Sequence, residues 1–240
     1  MLHVKESLKN CMRWVRRMDA PSDVILQLVS IAEYSSIDWR SSVNIIDNLG
    51  DGRGYTIGLV GFCTGTGDFL ELLYYLRDLN PVHVLLTFLP VIERIMKSSD
   101  TGSVVGLEKL PAVMRRIGKN DKLFMKATWY ILKKLYWKPA LDFCDEYGLK
   151  SELSRYIVYD TIVNFGNLDV FRKYMVKGED EGLFLRKFLD VKQKTIEDDE
   201  SLGDTDNNRV DMQKKLLRRE NFGLDRPMSV YCYTEKFYIP

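Results

Sequence analysis

The sequence is poor in the residues that most metal centres and nucleophilic triads require. Of its 240 residues only two are histidines, His3 and His83, and they lie far apart in the chain. The cysteines are Cys11, Cys63, Cys144 and Cys232. They form no Cys-x-x-Cys pair and show no metal-ligand spacing, so they are predicted to be buried, reduced thiols. We therefore expect no metal and no cofactor, and a Ser-His triad has little support.

Long apolar runs and a strong net charge are also missing. No segment reaches the roughly 18 consecutive apolar residues of a membrane-spanning helix. The N-terminal residues show no apolar core of signal-peptide length, although the chain begins with Met. The formal net charge is +1 and the pI about 7.6. We expect neither a membrane nor a nucleic acid as partner.

Acidic residues and glycines are instead concentrated in one short stretch, residues 32–68. This stretch holds seven glycines and two basic residues, Arg40 and Arg53, and its acidic residues are Glu33, Asp38, Asp47, Asp51 and Asp68. A second acidic segment, residues 197–206, has six acidic residues and no basic one. Such segments in a near-neutral chain suggest a cationic or polar ligand, or else solvated loops.

The remaining pattern is mainly helical, with a small β element near residues 45–63. Pro90 is expected to kink or split the helix in which it lies. Ser22 is predicted to cap a helix that buries one stripe and ends at the Ser35-Ser36 pair. Polar residues 198–208 are predicted to form a loop, and residues after 221 an extended, aromatic tail. The predicted helices cover 4–18, 23–33, 68–79, 81–96, 107–117, 121–136, 139–147, 149–165, 167–176, 181–196 and 208–221.

Two carboxylates in the acidic stretch have contrasting surroundings. Glu33 follows an apolar helix face near the helix C-terminus, and both features raise the pKa of a carboxyl group. Asp51 lies in the turn Gly-Asp-Gly-Arg-Gly near Arg53, which favours its charged form. Most glycosidases need one protonated and one ionised carboxyl group. The residues alone also permit a surface glutamate and an ordinary turn aspartate.

A nucleotide-binding function rests on the glycines alone and is discarded. The segment "GFCTGTGD" lacks the lysine of a phosphate-binding loop, and it does not follow the Gly-x-Gly-x-x-Gly pattern because position 70 is leucine.

Two long blocks, "LVSIAEYSSIDWR" and "IIDNLGDGRGYTIGLVGFCTGTGD", resemble the bacterial-type endo-chitosanases of glycoside hydrolase family 46. Looser matches follow in order at "LYWKPAL", "IVYDTIV", "NRVD" and "NFGLDRPMSV". The resemblance implies a mainly α, lysozyme-like, two-lobed α+β fold with a small sheet at the cleft. It implies one catalytic domain over residues 1–240, of which residues 1–20 form the least certain helix. It also implies inverting, endo-acting hydrolysis of β-1,4 bonds between glucosamine units of chitosan.

The resemblance also assigns the site residues. Glu33 falls on the general acid, Asp51 on the general base and Thr56 on the threonine that holds the attacking water. The substrate-binding positions implied are Asp68, Arg53, Asp47, Gly61, Thr66 and Tyr34, where Tyr34 replaces a family asparagine. Asp160, Arg209 and Lys192 fall on a charged network behind the pair, and Lys192 replaces a frequent arginine. Asp38 is assigned to a turn and Trp39 to the core.

Chitosan is cationic, so a cleft lined with carboxylates suits it. The expected partners are therefore chitosan and chito-oligosaccharides, and we expect a monomer. The family resemblance implies an extracellular enzyme, which is either released by lysis, as a phage or viral product is, or has lost its leader. The alternatives are a lysozyme-like peptidoglycan hydrolase, which would not need Asp68, and a non-catalytic polysaccharide-binding protein, against which the two intact carboxylates argue.

Overall fold

The computed structural model describes residues 20–198 and 204–240, which are mostly helical. A π-helical turn covers Lys133–Trp137. The helices are α1 (Asp23–Tyr34), α2 (Asp68–Leu79), α3 (Leu89–Met96), α4 (Leu110–Ile117), α5 (Lys122–Leu132), α6 (Lys138–Tyr147), α7 (Glu152–Phe165), α8 (Asp169–Arg172), α9 (Glu181–Glu197) and α10 (Asp204–Arg218). The predicted helix over residues 4–18 lies outside the described residues.

The β structure consists of two small antiparallel sheets. Strands β1 (Ile46–Asn48), β2 (Tyr55–Ile57) and β3 (Phe62–Cys63) form the first sheet in the order β1-β2-β3. Strands β4 (Met228–Cys232) and β5 (Glu235–Ile239) form a C-terminal hairpin. The first sheet confirms the predicted β element, and together with the helices it confirms the predicted fold class.

Helix α7 lies at the centre of the described fold. Nine of its fourteen residues are buried, including Asp160. A helix that is apolar on most sides must be surrounded by other elements, and α7 packs against α1, α6 and α10. Ser151 caps its N-terminus by accepting a hydrogen bond from the Ser154 N–H. Helices α1, α6 and α10 therefore share one buried core with α7.

Helix α1 is more deeply buried than its sequence predicts. All residues from 24 to 32 are buried, rather than one stripe. Ser22 occupies the N-cap position, but its hydroxyl donates to Glu152 and does not cap the helix. The helix ends as predicted, because Ser35 adopts a left-handed conformation with φ of 50°.

Other helix limits differ from the predictions. The predicted helix over 167–176 is only α8, although Leu168, Phe171 and Met175 are buried at helical spacing. The predicted helix over 81–96 is divided next to Pro90, as predicted: a 3-10 helix covers Val84–Phe88, and α3, with Pro90 in its first turn, follows directly. Helix α10 begins inside the predicted polar loop. Within the described ranges, no helix combines the length and hydrophobicity needed to cross a membrane.

Candidate active site

Glu33 lies in the last turn of α1, where the buried helix meets the small sheet. Its side chain is 25% exposed, and Arg209 of α10 donates a hydrogen bond from Nη2 to Glu33 Oε1. The neighbouring Tyr34 hydroxyl donates to the carbonyl of Gly58. Burial first, and then the negative charge of Glu33, raise the pKa of Tyr34. Glu33 is thus held between the apolar helix that the sequence predicts and a guanidinium from a distant helix.

Asp51 lies in an exposed turn between β1 and β2. Gly50, Gly52 and Gly54 all have positive φ values, so this tight turn depends on glycine. Arg53 donates from Nε and Nη2 to Asp51 Oδ2, at 3.0 and 2.7 Å, and from its backbone N–H to Oδ1. Burial works to raise the pKa of Asp51, but the hydrogen bonds and charge of Arg53 outweigh it and hold that pKa below its ordinary value.

Thr56 lies in the middle of the sheet, opposite Asp47 on β1 and Cys63 on β3. Its hydroxyl lies 3.5 Å from the Cys63 thiol, which donates to the carbonyl of Gly61 at 3.1 Å. Burial raises the pKa of Cys63. The thiol is therefore a neutral hydrogen-bonding group beneath Thr56.

Asp68 begins α2 and is held by four hydrogen bonds. Oδ1 accepts from the backbone N–H groups of Cys63 and Phe69 and from the Thr66 hydroxyl, at 2.8–2.9 Å. Oδ2 accepts from the hydroxyl of Tyr136, at 2.7 Å. Tyr136 comes from the π-helical turn, and such turns are frequent at functional sites. Burial raises the pKa of Tyr136, and the charge of Asp68 adds to this effect.

A groove of about 380 Å³ is lined by Asp68 and by Arg53, the partner of Asp51, but not by Glu33, Asp51 or Thr56 themselves. Four predicted site residues, Arg53, Gly61, Thr66 and Asp68, line one wall. The other wall comes from the π-helical turn and the end of α7. Sequence reasoning missed these residues, because the helical pattern gives no signal for them; they are Leu135, Tyr136, Val163, Asn164, Phe165 and Gly166.

A buried charged network lies behind Glu33. Asp160 and Lys192 are fully buried, and Lys192 Nζ donates to Asp160 Oδ2 at 2.8 Å and to Gln213 Oε1 at 3.2 Å. Gln213 Nε2 donates to Asp160 Oδ2 at 2.6 Å, and Arg209 Nε lies 3.4 Å from Asp160 Oδ1. Burial acts to raise the pKa of Asp160, but the charges of Arg209 and Lys192 outweigh it and lower that pKa. The predicted network residues thus lie together, and Gln213 joins them.

The C-terminal hairpin supports the end of α1. The Tyr233 hydroxyl donates to the carbonyl of Ala32 at 2.6 Å, one residue before Glu33. The hairpin also packs against α10, which carries Arg209. The sequence predicts only an extended tail here and gives no sign of this contact.

The other residues that the sequence analysis singled out lie in the core or in a turn. Trp39 is 7% exposed and belongs to the core. The backbone carbonyl of Asp38 accepts from Ser41 in a turn. Cys63, Cys144 and Cys232 are buried free thiols, and Cys11 lies outside the described residues. Residues 20–198 and 204–240 bring together no group of three or more His, Cys, Asp or Glu side chains suited to a metal ion.

Comparison with known proteins gives a consistent result. The sequence profile of glycosyl hydrolase family 46 matches residues 27–228. A chitosanase of Streptomyces sp. (strain N174) is 32% identical over 232 residues, which cover 90% of this chain and 81% of the relative. A chitosanase of Bacillus subtilis (strain 168) is 31% identical over 225 residues, which cover 85% of this chain and 79% of the relative.

Solved structures share the fold. Native chitosanase from Bacillus subtilis MY002 aligns with a TM-score of 0.81 at 29% identity, over 91% of this chain and 97% of that chain. A mutant of the MY002 enzyme, complexed with six GlcN units, aligns with the same TM-score at 28% identity, over 91% and 97% of the two chains. A family 46 chitosanase of Gynuella sunshinyii, in complex with chitotetraose, aligns with a TM-score of 0.82 at 26% identity, over 93% and 99%.

Proposed function

Because the chain belongs to glycosyl hydrolase family 46 and is therefore a glycoside hydrolase, we propose that it is an endo-acting chitosanase. It hydrolyses β-1,4 bonds between glucosamine units with inversion at the anomeric carbon. Glu33 protonates the leaving oxygen, and Asp51 activates the attacking water. The chain acts as one catalytic domain of two lobes.

The groove is the observation that carries this proposal. Asp68 and Arg53, the partner of Asp51, line the same wall of a cavity large enough for sugar units. Relatives of this fold are complexed with six GlcN and with chitotetraose. Glucosamine units carry ammonium groups, and carboxylates along a groove raise the local concentration of such a cation and pair with it.

Both carboxylates are paired with an arginine, Asp51 with Arg53 and Glu33 with Arg209. Asp51 is exposed and its pKa is lowered by Arg53 after the opposing effect of burial, so it is ionised and available as a base. Glu33 must carry a proton to act as an acid. Its partner Arg209 also lies beside Asp160, so the guanidinium keeps a carboxylate partner when Glu33 takes up a proton. A cation this close favours the ionised form of a carboxyl group, so the acid role is proposed from the family position of Glu33 and not from this contact.

The other predicted residues serve binding and orientation. Thr56, at the centre of the sheet, holds the water that Asp51 activates. Asp68 binds a glucosamine amine, which competes with the hydrogen bond from Tyr136. Tyr34, which follows Glu33 and donates a hydrogen bond to the Gly58 carbonyl, contacts the sugar beside the acid. Further contacts to the sugar come from Asp47, Arg53, Gly61 and Thr66.

The substrate is a large polymer, so we also propose that the protein acts outside the cell. We propose further that it is a monomer. A lysozyme-like peptidoglycan hydrolase is the alternative of a different substrate class. Its substrate is N-acetylated and carries no ammonium group on the sugar, so it would not pair with the Asp68 carboxylate as a glucosamine ammonium group does.

The test is cleavage of a glucosamine hexamer beside an N-acetylglucosamine hexamer and intact peptidoglycan. The wild type should cut the glucosamine hexamer internally, to dimers, trimers and tetramers. Glu33→Gln and Asp51→Asn should each lose about 100-fold or more in kcat, which is the scale of general acid–base catalysis. Asp142→Asn, at an exposed carboxylate paired with Lys138, is the matched control and should retain wild-type activity.

Three results would contradict the proposal. A folded wild type that leaves the glucosamine hexamer intact refutes the substrate, and lysis of peptidoglycan then supports the alternative. Binding of the hexamer without cleavage indicates a non-catalytic polysaccharide-binding protein. Cleavage that survives Glu33→Gln shows that the acid is a different residue.

A further inference from the structure

The loop of residues 98–106 lies directly on the turn that carries Asp51. A Cβ atom placed on Gly102 would lie 2.3 Å from the carbonyl oxygen of Gly52 and 2.6 Å from its carbonyl carbon. Real Cβ atoms do not approach backbone atoms so closely, so only glycine fits at this position. The backbones of Gly102 and Gly52 are therefore in direct contact, and Gly52 directly follows Asp51 in the chain.

A second contact extends this interface to β3 and α2. A Cβ atom on Gly65 would lie 2.3 Å from the carbonyl oxygen of Thr101 and 2.9 Å from that of Arg53. The Gly65 N–H also donates to the Arg53 carbonyl at 3.0 Å. The loop thus meets both segments that frame the Asp51–Arg53 pair. Both contacts are made by main-chain atoms, so they leave no margin for movement.

The loop is well suited to act as a fixed support. The Ser98 hydroxyl donates to the carbonyls of Ile95, at 2.7 Å, and Asp100, at 3.0 Å, and accepts from the Asp100 N–H at 3.2 Å. At the other end Leu107 is fully buried, and its carbonyl accepts a hydrogen bond from the N–H of Leu110, the first residue of α4. Both ends are therefore anchored to helices of the core.

Apart from the loop and the flanking strands, the turn is held by the hydrogen bond from the Gly65 N–H to the Arg53 carbonyl. Residues 50–53 are exposed, and the side-chain hydrogen bonds shown for Asp51 come from Arg53, within the same turn. These bonds fix the carboxylate relative to the turn, but they do not fix the turn relative to the rest of the groove.

We propose that loop 98–106 is a positioning element. Through its contact at Gly102, it fixes the position of the Asp51 carboxylate relative to the groove. This inference rests on the proposed role of Asp51 as the base. An added methyl group at Gly102 must displace the turn by about 1 Å to restore ordinary contact, and misplacement on this scale can cost about 100-fold in rate. Loop 98–106 and the turn then behave as one unit during catalysis.

The direct test is Gly102→Ala, with kcat and KM measured on the glucosamine hexamer. We expect kcat to fall about 100-fold while KM stays within about threefold, since the base is misplaced and the sugar contacts remain. Gly182→Ala is the matched control. Gly182 lies in α9 without a positive φ, and an added Cβ would meet only side-chain atoms, at 3.3 Å or more. Its kinetics should equal those of the wild type.

Two further measurements separate positioning from loss of folding. Thermal unfolding reports whether Gly102→Ala is folded, and calorimetric titration with the hexamer, in a Glu33→Gln background, reports whether the groove still binds. If Gly102→Ala does not fold, Ser98→Ala decides, because it loosens the loop without adding an atom. It should lower kcat by about three- to tenfold at unchanged KM.

The outcomes distinguish failure of the positioning inference from failure of the proposed function. If the wild type cleaves the hexamer and Asp51→Asn does not, while folded Gly102→Ala is as fast as the wild type, the positioning inference alone is overturned. An equal loss in Gly182→Ala, or unchanged kcat in Ser98→Ala when Gly102→Ala does not fold, overturns it as well. If the wild type cleaves no hexamer, the proposed function is wrong and this inference falls with it.

Discussion

Replacing Lys192 by methionine should destabilise the protein strongly, because Lys192 is a buried cation with defined partners. Its side chain is fully buried, 2.8 Å from Asp160 Oδ2 and 3.2 Å from Gln213 Oε1. Methionine has a similar shape but no charge, so the variant keeps the packing and removes only the ammonium group. The network of Glu33, Arg209, Asp160 and Lys192 then passes from balanced charge to one excess negative charge.

The magnitude follows from what remains around Asp160. Removing one partner of a buried ion pair costs about 3–5 kcal/mol, because the other charge stays buried. Arg209 at 3.4 Å and the Gln213 amide at 2.6 Å still face the carboxylate, so we expect the lower end. A loss of about 3 kcal/mol lowers Tm by roughly 6–12 °C in a protein of this size.

The pH dependence of this loss has a definite sign. Burial acts to raise the pKa of Asp160, but the nearby cations outweigh it, so the folded pKa lies below the unfolded value of about 3.9. Asp160 therefore adds stability that is complete above that value and is lost as the pH falls through the folded pKa. Without Lys192 the folded pKa of Asp160 rises. The deficit of the variant should be full at pH 7 and smaller near pH 4.

Urea unfolding of the wild type and the variant at both pH values tests this reasoning. Lys187→Met is the control, since Lys187 lies on the same helix and pairs with Glu179 but is 45% exposed; it should cost less than about 1 kcal/mol. Adding Asp160→Asn to Lys192→Met should recover much of the loss. Equal losses for Lys192→Met and Lys187→Met, or a deficit that grows as the pH falls, would refute the argument.

Two other predictions concern the groups around Glu33 and Asp51. Arg53→Gln removes the hydrogen bonds that lower the pKa of Asp51 against the effect of burial, so the acid limb of the kcat/KM profile should move to higher pH; an unmoved limb would exclude Asp51 as the base. Tyr233→Phe removes the hydrogen bond to the end of α1 and should cost about 0.5–1.5 kcal/mol in urea unfolding. Tyr231→Phe, at a tyrosine that is 42% exposed, should change the stability by less than about 0.5 kcal/mol, and equal effects would contradict the role of the hydrogen bond.

The sequence predicts the family and the mainly helical fold, because both depend on features that are local in the chain. The apolar periodicity and the stop at Ser35 predict α1. The glycine-rich turn predicts the exposed position of Asp51. The enzyme class is confirmed as well, by the family 46 profile and by the chitosanase relatives.

The features that the sequence does not predict depend on contacts between distant segments. The hydroxyl of Ser22 is predicted to cap α1 but binds Glu152, 130 residues away. The contact of Arg209 with Glu33 spans 176 residues, and no local pattern specifies its geometry. The backbone contact between Gly52 and Gly102 involves no side chain, so it appears in the sequence only as two glycines. The roles of the site residues remain predictions.

The most direct test of the account is the anomeric configuration of fresh product. The wild type would cleave a glucosamine hexamer in the NMR tube, with proton spectra recorded before mutarotation. Inversion requires that the α-anomer appears first, and a crystal structure with bound sugar should place the carboxyl groups of Glu33 and Asp51 about 6.5–9.5 Å apart. Initial appearance of the β-anomer would mean retention, and would contradict the role of Asp51 as a base acting on water.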